Sequence, residues 1–96
     1  MNHLSIFKFR LFVAGSSQNS MQAVANLNSI CSGCLPGRYE IEVIDVFEQP
    51  LMALNDAVYM TPTLIKLGPL PIQRIVGALS QPDVVLQTFG IGAAVT

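Results

Sequence analysis

Cys31-Ser32-Gly33-Cys34 is the stretch of this chain whose residue types and spacing come closest to doing chemistry. Two thiols separated by two residues suit a dithiol redox couple, and they are also half of a four-ligand zinc site. Either chemistry depends on where the pair sits, because a thiolate near neutral pH needs a helix N-terminus, a neighbouring cation or a metal. The other polar candidates are thinner. The only histidine, His3, reads as an exposed terminal residue, which leaves a zinc site short of ligands. Ser16, Ser17 and Asn19 have no adjacent histidine or lysine to activate a hydroxyl. Glu40 and Glu42 share one strand face and read as solvated, and Asp45 reads as an end-of-strand carboxylate reaching solvent. No Gly-rich phosphate loop is spelled. The expectation is a chain without catalytic activity, bound metal or cofactor.

The elements that position these residues must come from one small domain. The 96 residues allow a single core, expected to be ordered from about residue 5 to 90, within one domain spanning 1–96. They are 51% apolar and only 11% charged, a surface poor enough in charge to invite self-association. Five Lys and Arg against six Asp and Glu leave no broad basic face for a nucleic acid backbone. The apolar runs, such as Leu11 to Ala14, fall far short of the ~20 residues that cross a bilayer. Lys8 and Arg10 lie inside the first apolar run and not before it, unlike a signal peptide. A cytoplasmic protein is expected, with neither membrane nor nucleic acid as partner.

Periodicity predicts seven elements. Phe7, Phe9, Leu11 and Val13 alternate with Lys8 and Arg10 in a strand over Ser5 to Ala14. A polar turn, Gly15 to Ser20, leads into a helix from Met21 to about Ser32, with Met21, Val24, Leu27 and Cys31 as its buried stripe and Gly33, Pro36 and Gly37 as its stop. Tyr39 to Val46 is a second strand. Pro50 opens a short helix whose apolar stripe is Leu51, Leu54 and Val58. Thr63 to Leu67 and Ile72 to Val76 form a hairpin across Gly68-Pro69-Leu70-Pro71, and Ser80 with Asp83 caps a last helix through Phe89. The order β-α-β-α-β-β-α, with a right-handed parallel crossover followed by an antiparallel edge, is a mixed α/β sheet of thioredoxin-like type. By analogy with that fold, Pro62 is a candidate cis-proline facing the Gly15 to Ser20 loop.

In a dithiol enzyme of this architecture the cysteines stand between the first strand and the first helix. Here that place is held by Gly15 to Ser20, and Cys31 and Cys34 fall at the helix C-terminus, where the macrodipole disfavours a thiolate. Cys31 continues the apolar stripe as a small hydrophobe, and Cys34 stands past Gly33, open to partial exposure. Packing is the stronger reading. A redox pair, as a thiol-based sensor or oxidoreductase, is the alternative.

A longer set of stretches carries a family resemblance: Leu11 to Gly15 (LFVAG), Asn19-Ser20, Val43 to Val46 (VIDV), Gln49-Pro50, Thr61 to Leu67 (TPTLIKL), Pro69 to Gly77 (PLPIQRIVG) and Leu79-Ser80. In order and without a gap, they resemble the KaiB family of circadian clock proteins. The resemblance implies a protein-binding adaptor of a circadian clock or clock-like signalling system. Its implied partners are a KaiC-type ATPase and also KaiA or a sensor histidine kinase, met through the edge strand and last helix. It further implies a homo-oligomer, dimer or tetramer, and two folds: the thioredoxin-like arrangement and a ground-state arrangement with a rearranged C-terminal half. Where family members carry basic residues, this chain has Gln22, Ala25 and Ala57, and the paired arginines after the proline-rich turn are reduced to Gln73-Arg74. An acidic residue usual after the fourth strand's glycine is Ala78. Lys66 and Arg74 remain at matching positions and are the candidate partner contacts implied by the resemblance, in what reads as a divergent member.

Overall fold

The computed structural model describes residues 5–92, so His3 lies outside the described residues. Seven elements follow in the expected order: β1 (Phe7–Val13), α1 (Gln18–Cys34), β2 (Tyr39–Asp45), α2 (Pro50–Asn55), β3 (Thr63–Gly68), β4 (Gln73–Val76) and α3 (Pro82–Phe89). The four strands form one sheet in the order β2-β1-β3-β4. β1 pairs parallel with β2 and antiparallel with β3, and β3 pairs antiparallel with β4. Of the two arrangements that the resemblance implies, this is the thioredoxin-like one.

The period-two pattern of β1 sorts its side chains onto the two faces of the sheet. Phe7, Phe9, Leu11 and Val13 point to one face and pack with Ala23, Leu27, Ile30 and Cys31 of α1 and Val85 and Phe89 of α3. Phe12 points to the other and packs with Ile44, Ile65, Ala53 of α2 and Val58. Two cores of unequal size result. α1 and α3 cover one face, and the six residues of α2 cover only part of the opposite one.

Several local expectations change. α1 begins three residues earlier than the apolar stripe suggested, because the Ser17 hydroxyl accepts from the Ser20 amide and closes an N-cap. Its buried stripe is Ser20, Ala23, Leu27, Ile30 and Cys31, whereas Met21 is exposed. Small Ser20 and Ala23 let the helix lie close on the sheet, and the Ser20 hydroxyl accepts from the Ala14 amide. Gly33 does not end the helix, which runs to Cys34 and stops only before Pro36. α3 has Gln81 at its N-cap with no side-chain capping bond, so Ser80 and Asp83 do not form a capping box. Pro82 starts that helix, and Asp83 instead lies in its first turn, where a carboxylate suits the macrodipole.

The largest change is in α2. Ala53 is its buried residue, and Leu51 and Leu54 point to solvent. The helix ends at Asn55, too short to carry Val58 on the expected stripe, and Val58 reaches the core from the turn that follows. Burial therefore predicts unequal mutational costs. Leu27→Ala, in the larger core, should lose about 2–5 kcal/mol of stability, and Leu54→Gln should stay within about 0.5 kcal/mol of wild type. Urea unfolding of both variants checks the contrast; comparable losses would place Leu54 inward.

Candidate functional site

The segment that crosses the sheet's less covered face also exposes five large apolar side chains. Phe47, Leu51, Leu54, Tyr59 and Met60 are each between 64% and 82% exposed, within fourteen residues of chain. Local structure explains the outward aim. The Asp45 carboxylate accepts from the Phe47 and Gly15 amides, which turns the chain out of β2 with Phe47 above Gly15. Leu51 and Leu54, three apart, then share the helix face opposite Ala53. Five large apolar side chains exposed on one short segment are more than the scattered single residues normal on a protein surface.

This segment is fastened from beneath by two arginines. Cross-strand register aligns Glu42 of β2, Arg10 of β1, Ile65 of β3 and Arg74 of β4 in one row on this face. Arg10 Nε donates to Glu42 Oε1 and Nη1 to Asp56 Oδ2, both at 2.9 Å. Its bonds to Asp56 and Glu42 hold its charged form and raise its pKa further above the ordinary arginine value. From the far side, Arg74 Nη2 donates to the Asp56 carbonyl at 2.7 Å and Nη1 to the Ala57 carbonyl at 3.0 Å. Arg74 is thus committed to the backbone at the end of α2. Sequence reading singled out neither Arg10 nor Asp56; the visible signal was a charged residue at an inner position of an apolar strand.

The structure separates the residues of interest. Lys66 does not occupy a solvated strand position: it is 3% exposed, on the α1 and α3 face, with its Nζ 6.0 Å from the ring centroids of both Phe7 and Phe89. That distance is the outer limit of a cation–π contact, and among the described residues no carboxylate forms an ion pair with it. As placed, it offers a partner almost no surface. Lys66 and Arg74 lie on opposite faces, and the register explains why: Lys66 is opposite Phe9 and Arg74 opposite Ile65. The Thr61-Pro62 peptide is cis, and the Pro62 carbonyl accepts from the Gly77 amide.

Both cysteines are free, Cys31 buried and Cys34 half-buried at the end of α1. Desolvation, with a smaller contribution from Cys34, pushes the Cys31 thiol up to about 12. The redox reading needs the opposite shift. Among the described residues no cluster of three or more His, Cys, Asp or Glu could hold a metal ion, and no helix is long and apolar enough to cross a membrane. The Ser17 and Ser20 hydroxyls are engaged with backbone amides.

A thiol raised by folding binds its proton more tightly in the native state, so stability is full below about pH 9 and falls as pH rises from there through about 12. Alkylation of the native chain at pH 8 should therefore modify Cys34 first, with Cys31 reacting only as the protein opens. Mass mapping of a timed iodoacetamide reaction checks the order; fast labelling of Cys31 would contradict its placement.

Comparison with known proteins extends this picture. The KaiB domain model matches residues 10–91. The chain is 47% identical over 77 residues to the circadian clock protein KaiB3 of Synechocystis sp., covering 80% of this chain and 76% of that protein. It is 40% identical over 86 residues to the circadian clock oscillator protein KaiB of Synechococcus elongatus, covering 90% and 84%. Among solved structures, the N-terminal domain of Synechococcus elongatus SasA superposes with a TM-score of 0.72 at 22% identity, covering 94% of this chain and 89% of that one. Mitochondrial thioredoxin 3 of Saccharomyces cerevisiae does so at 0.70 and 19% identity, covering 91% and 77%. These two likenesses establish the thioredoxin-like fold alone. The domain match and the identities over most of the chain show that it belongs to the KaiB family.

Proposed function

We propose that this chain is a non-catalytic adaptor of a circadian clock or clock-like signalling system that binds a KaiC-type ATPase, with KaiA or a sensor histidine kinase as a further partner. Family membership supports the clock role, since the relatives are circadian clock proteins. The observation that carries the binding role is the apolar display of Phe47, Leu51, Leu54, Tyr59 and Met60. Exposed apolar side chains gathered on one segment mark surfaces that bind other proteins. Large aromatic and aliphatic side chains around Phe47 and Tyr59 are of the kind that anchor such interfaces.

The preferred surface therefore moves from the edge strand and last helix to the α2 segment, although Leu70, Ile72 and Val76 in and before the edge strand β4 are exposed as well. Val84 is the only large apolar residue that α3 exposes, against five on the Phe47–Met60 segment. A redox role is less favoured, because the thiol raised to about 12 lies at the wrong end of α1 for thiolate formation. A display of this kind also favours self-association into a dimer or tetramer at high concentration.

The adaptor reading predicts co-elution with a KaiC-type hexamer and ATP on size exclusion. A Leu51→Glu, Leu54→Glu double variant should retain the native circular dichroism spectrum and lose the complex. Failure of the wild-type chain to bind any of several such hexamers would sink the reading, and unchanged binding by the double variant would move the interface elsewhere.

A further inference from the structure

The end of α2 is built as a strained turn. The Val58 amide donates to the Ala53 carbonyl and the Ala57 amide to the Leu54 carbonyl, the bond pair of a Schellman motif. Val58 and Ala53 supply the apolar contact usual in that motif, both within the smaller core. The motif needs a left-handed residue after the cap, ordinarily glycine. Here it is Ala57, at φ 55°. A β-carbon makes that conformation unfavourable, and it persists only where the surroundings hold it.

Arg74 supplies such a hold. Its two donors reach the carbonyls of Asp56 and Ala57, the residues on either side of the strained peptide, while Arg10 holds the Asp56 side chain from β1. A planar guanidinium can bridge two carbonyls in this way and an ammonium cannot do so in the same geometry. The six-residue helix above buries Ala53 as its one core residue, so apolar packing alone fixes its orientation weakly. Leu51, Leu54, Tyr59 and Met60 lie on either side of the clamped turn.

We propose that Arg74, with Arg10, is a positioning residue for the binding face: it acts through the strained Asp56-Ala57 turn to orient the apolar display, and not by touching the partner. This rests on the adaptor reading above and deepens it. Both guanidinium donors are thereby engaged by the chain's own backbone, while Arg74 itself stays exposed.

The test pairs Arg74→Ala with Ala57→Gly, which relieves the left-handed strain without adding charge. In the free chain, Arg74→Ala should raise hydrogen exchange at the Asp56, Ala57 and Val58 amides at least tenfold more than at Leu27. With a KaiC-type hexamer and ATP as probe, Arg74→Ala should weaken binding about tenfold or more, Arg74→Lys should fall between it and wild type, and Ala57→Gly added to Arg74→Ala should recover most of the loss. A direct contact predicts instead no recovery by Ala57→Gly and unchanged exchange at the three amides, and either result overturns the proposal. If the wild-type chain binds no hexamer, the adaptor reading falls, and the exchange arm still decides whether Arg74 holds the turn: no rise at those amides rejects the clamp as well.

Discussion

Strand β1 is hydrogen-bonded along both edges and covered on both faces, and the rest of the molecule is arranged around that constraint. A strand so placed must be apolar on both sides except where a charge finds a partner. Phe9, Leu11 and Phe12 satisfy the first demand, and Arg10 satisfies the second by meeting Glu42 and Asp56. Parallel pairing with β2 requires the α1 crossover, and antiparallel pairing with β3 places the β3-β4 hairpin on the other side.

The two faces that result are held by different physics. On one, α1 and α3 bury a continuous apolar cluster, and even Lys66 is buried there, its ammonium near the rings of Phe7 and Phe89. On the other, a six-residue helix offers little apolar contact, and the deficit is met by directional bonds from two arginines to the turn that ends it. These bonds are directional, so they fix where the turn sits relative to the sheet. A thin layer with its apolar side chains outward suits a surface that others bind.

Much of the fold was legible in the chain. The alternation in β1 and the proline-rich turn before β4 each encode a local preference that tertiary packing did not override, whereas the Gly15 to Ser20 break lasts only to Ser17, where α1 is capped. The misreadings share one cause. Periodicity reports that a stripe is apolar, but whether that stripe faces the core or the solvent depends on what lies across from it. Leu51 and Leu54 read as core, and the core took Ala53 in their place; Met21 read as core, and the sheet approached α1 closely enough to select Ser20 and Ala23. Lys66 and Arg74 read alike as basic strand residues, and pairing register sent them to opposite faces.

The cysteine pair shows the division most clearly. Local sequence determined that Cys31 and Cys34 stand at the end of the first helix, since the turn that starts that helix and the Pro36 that stops it are both written in neighbouring residues. It determined the order of elements and the family for the same reason: these are properties of residue type and spacing along the chain. Only the tertiary structure decided that Cys31 is shut from water and its thiol raised, that Arg74 serves Asp56 and Ala57, and that the apolar face of α2 looks outward. Each of those depends on which distant residue arrives across the sheet, and strand register sets that arrival.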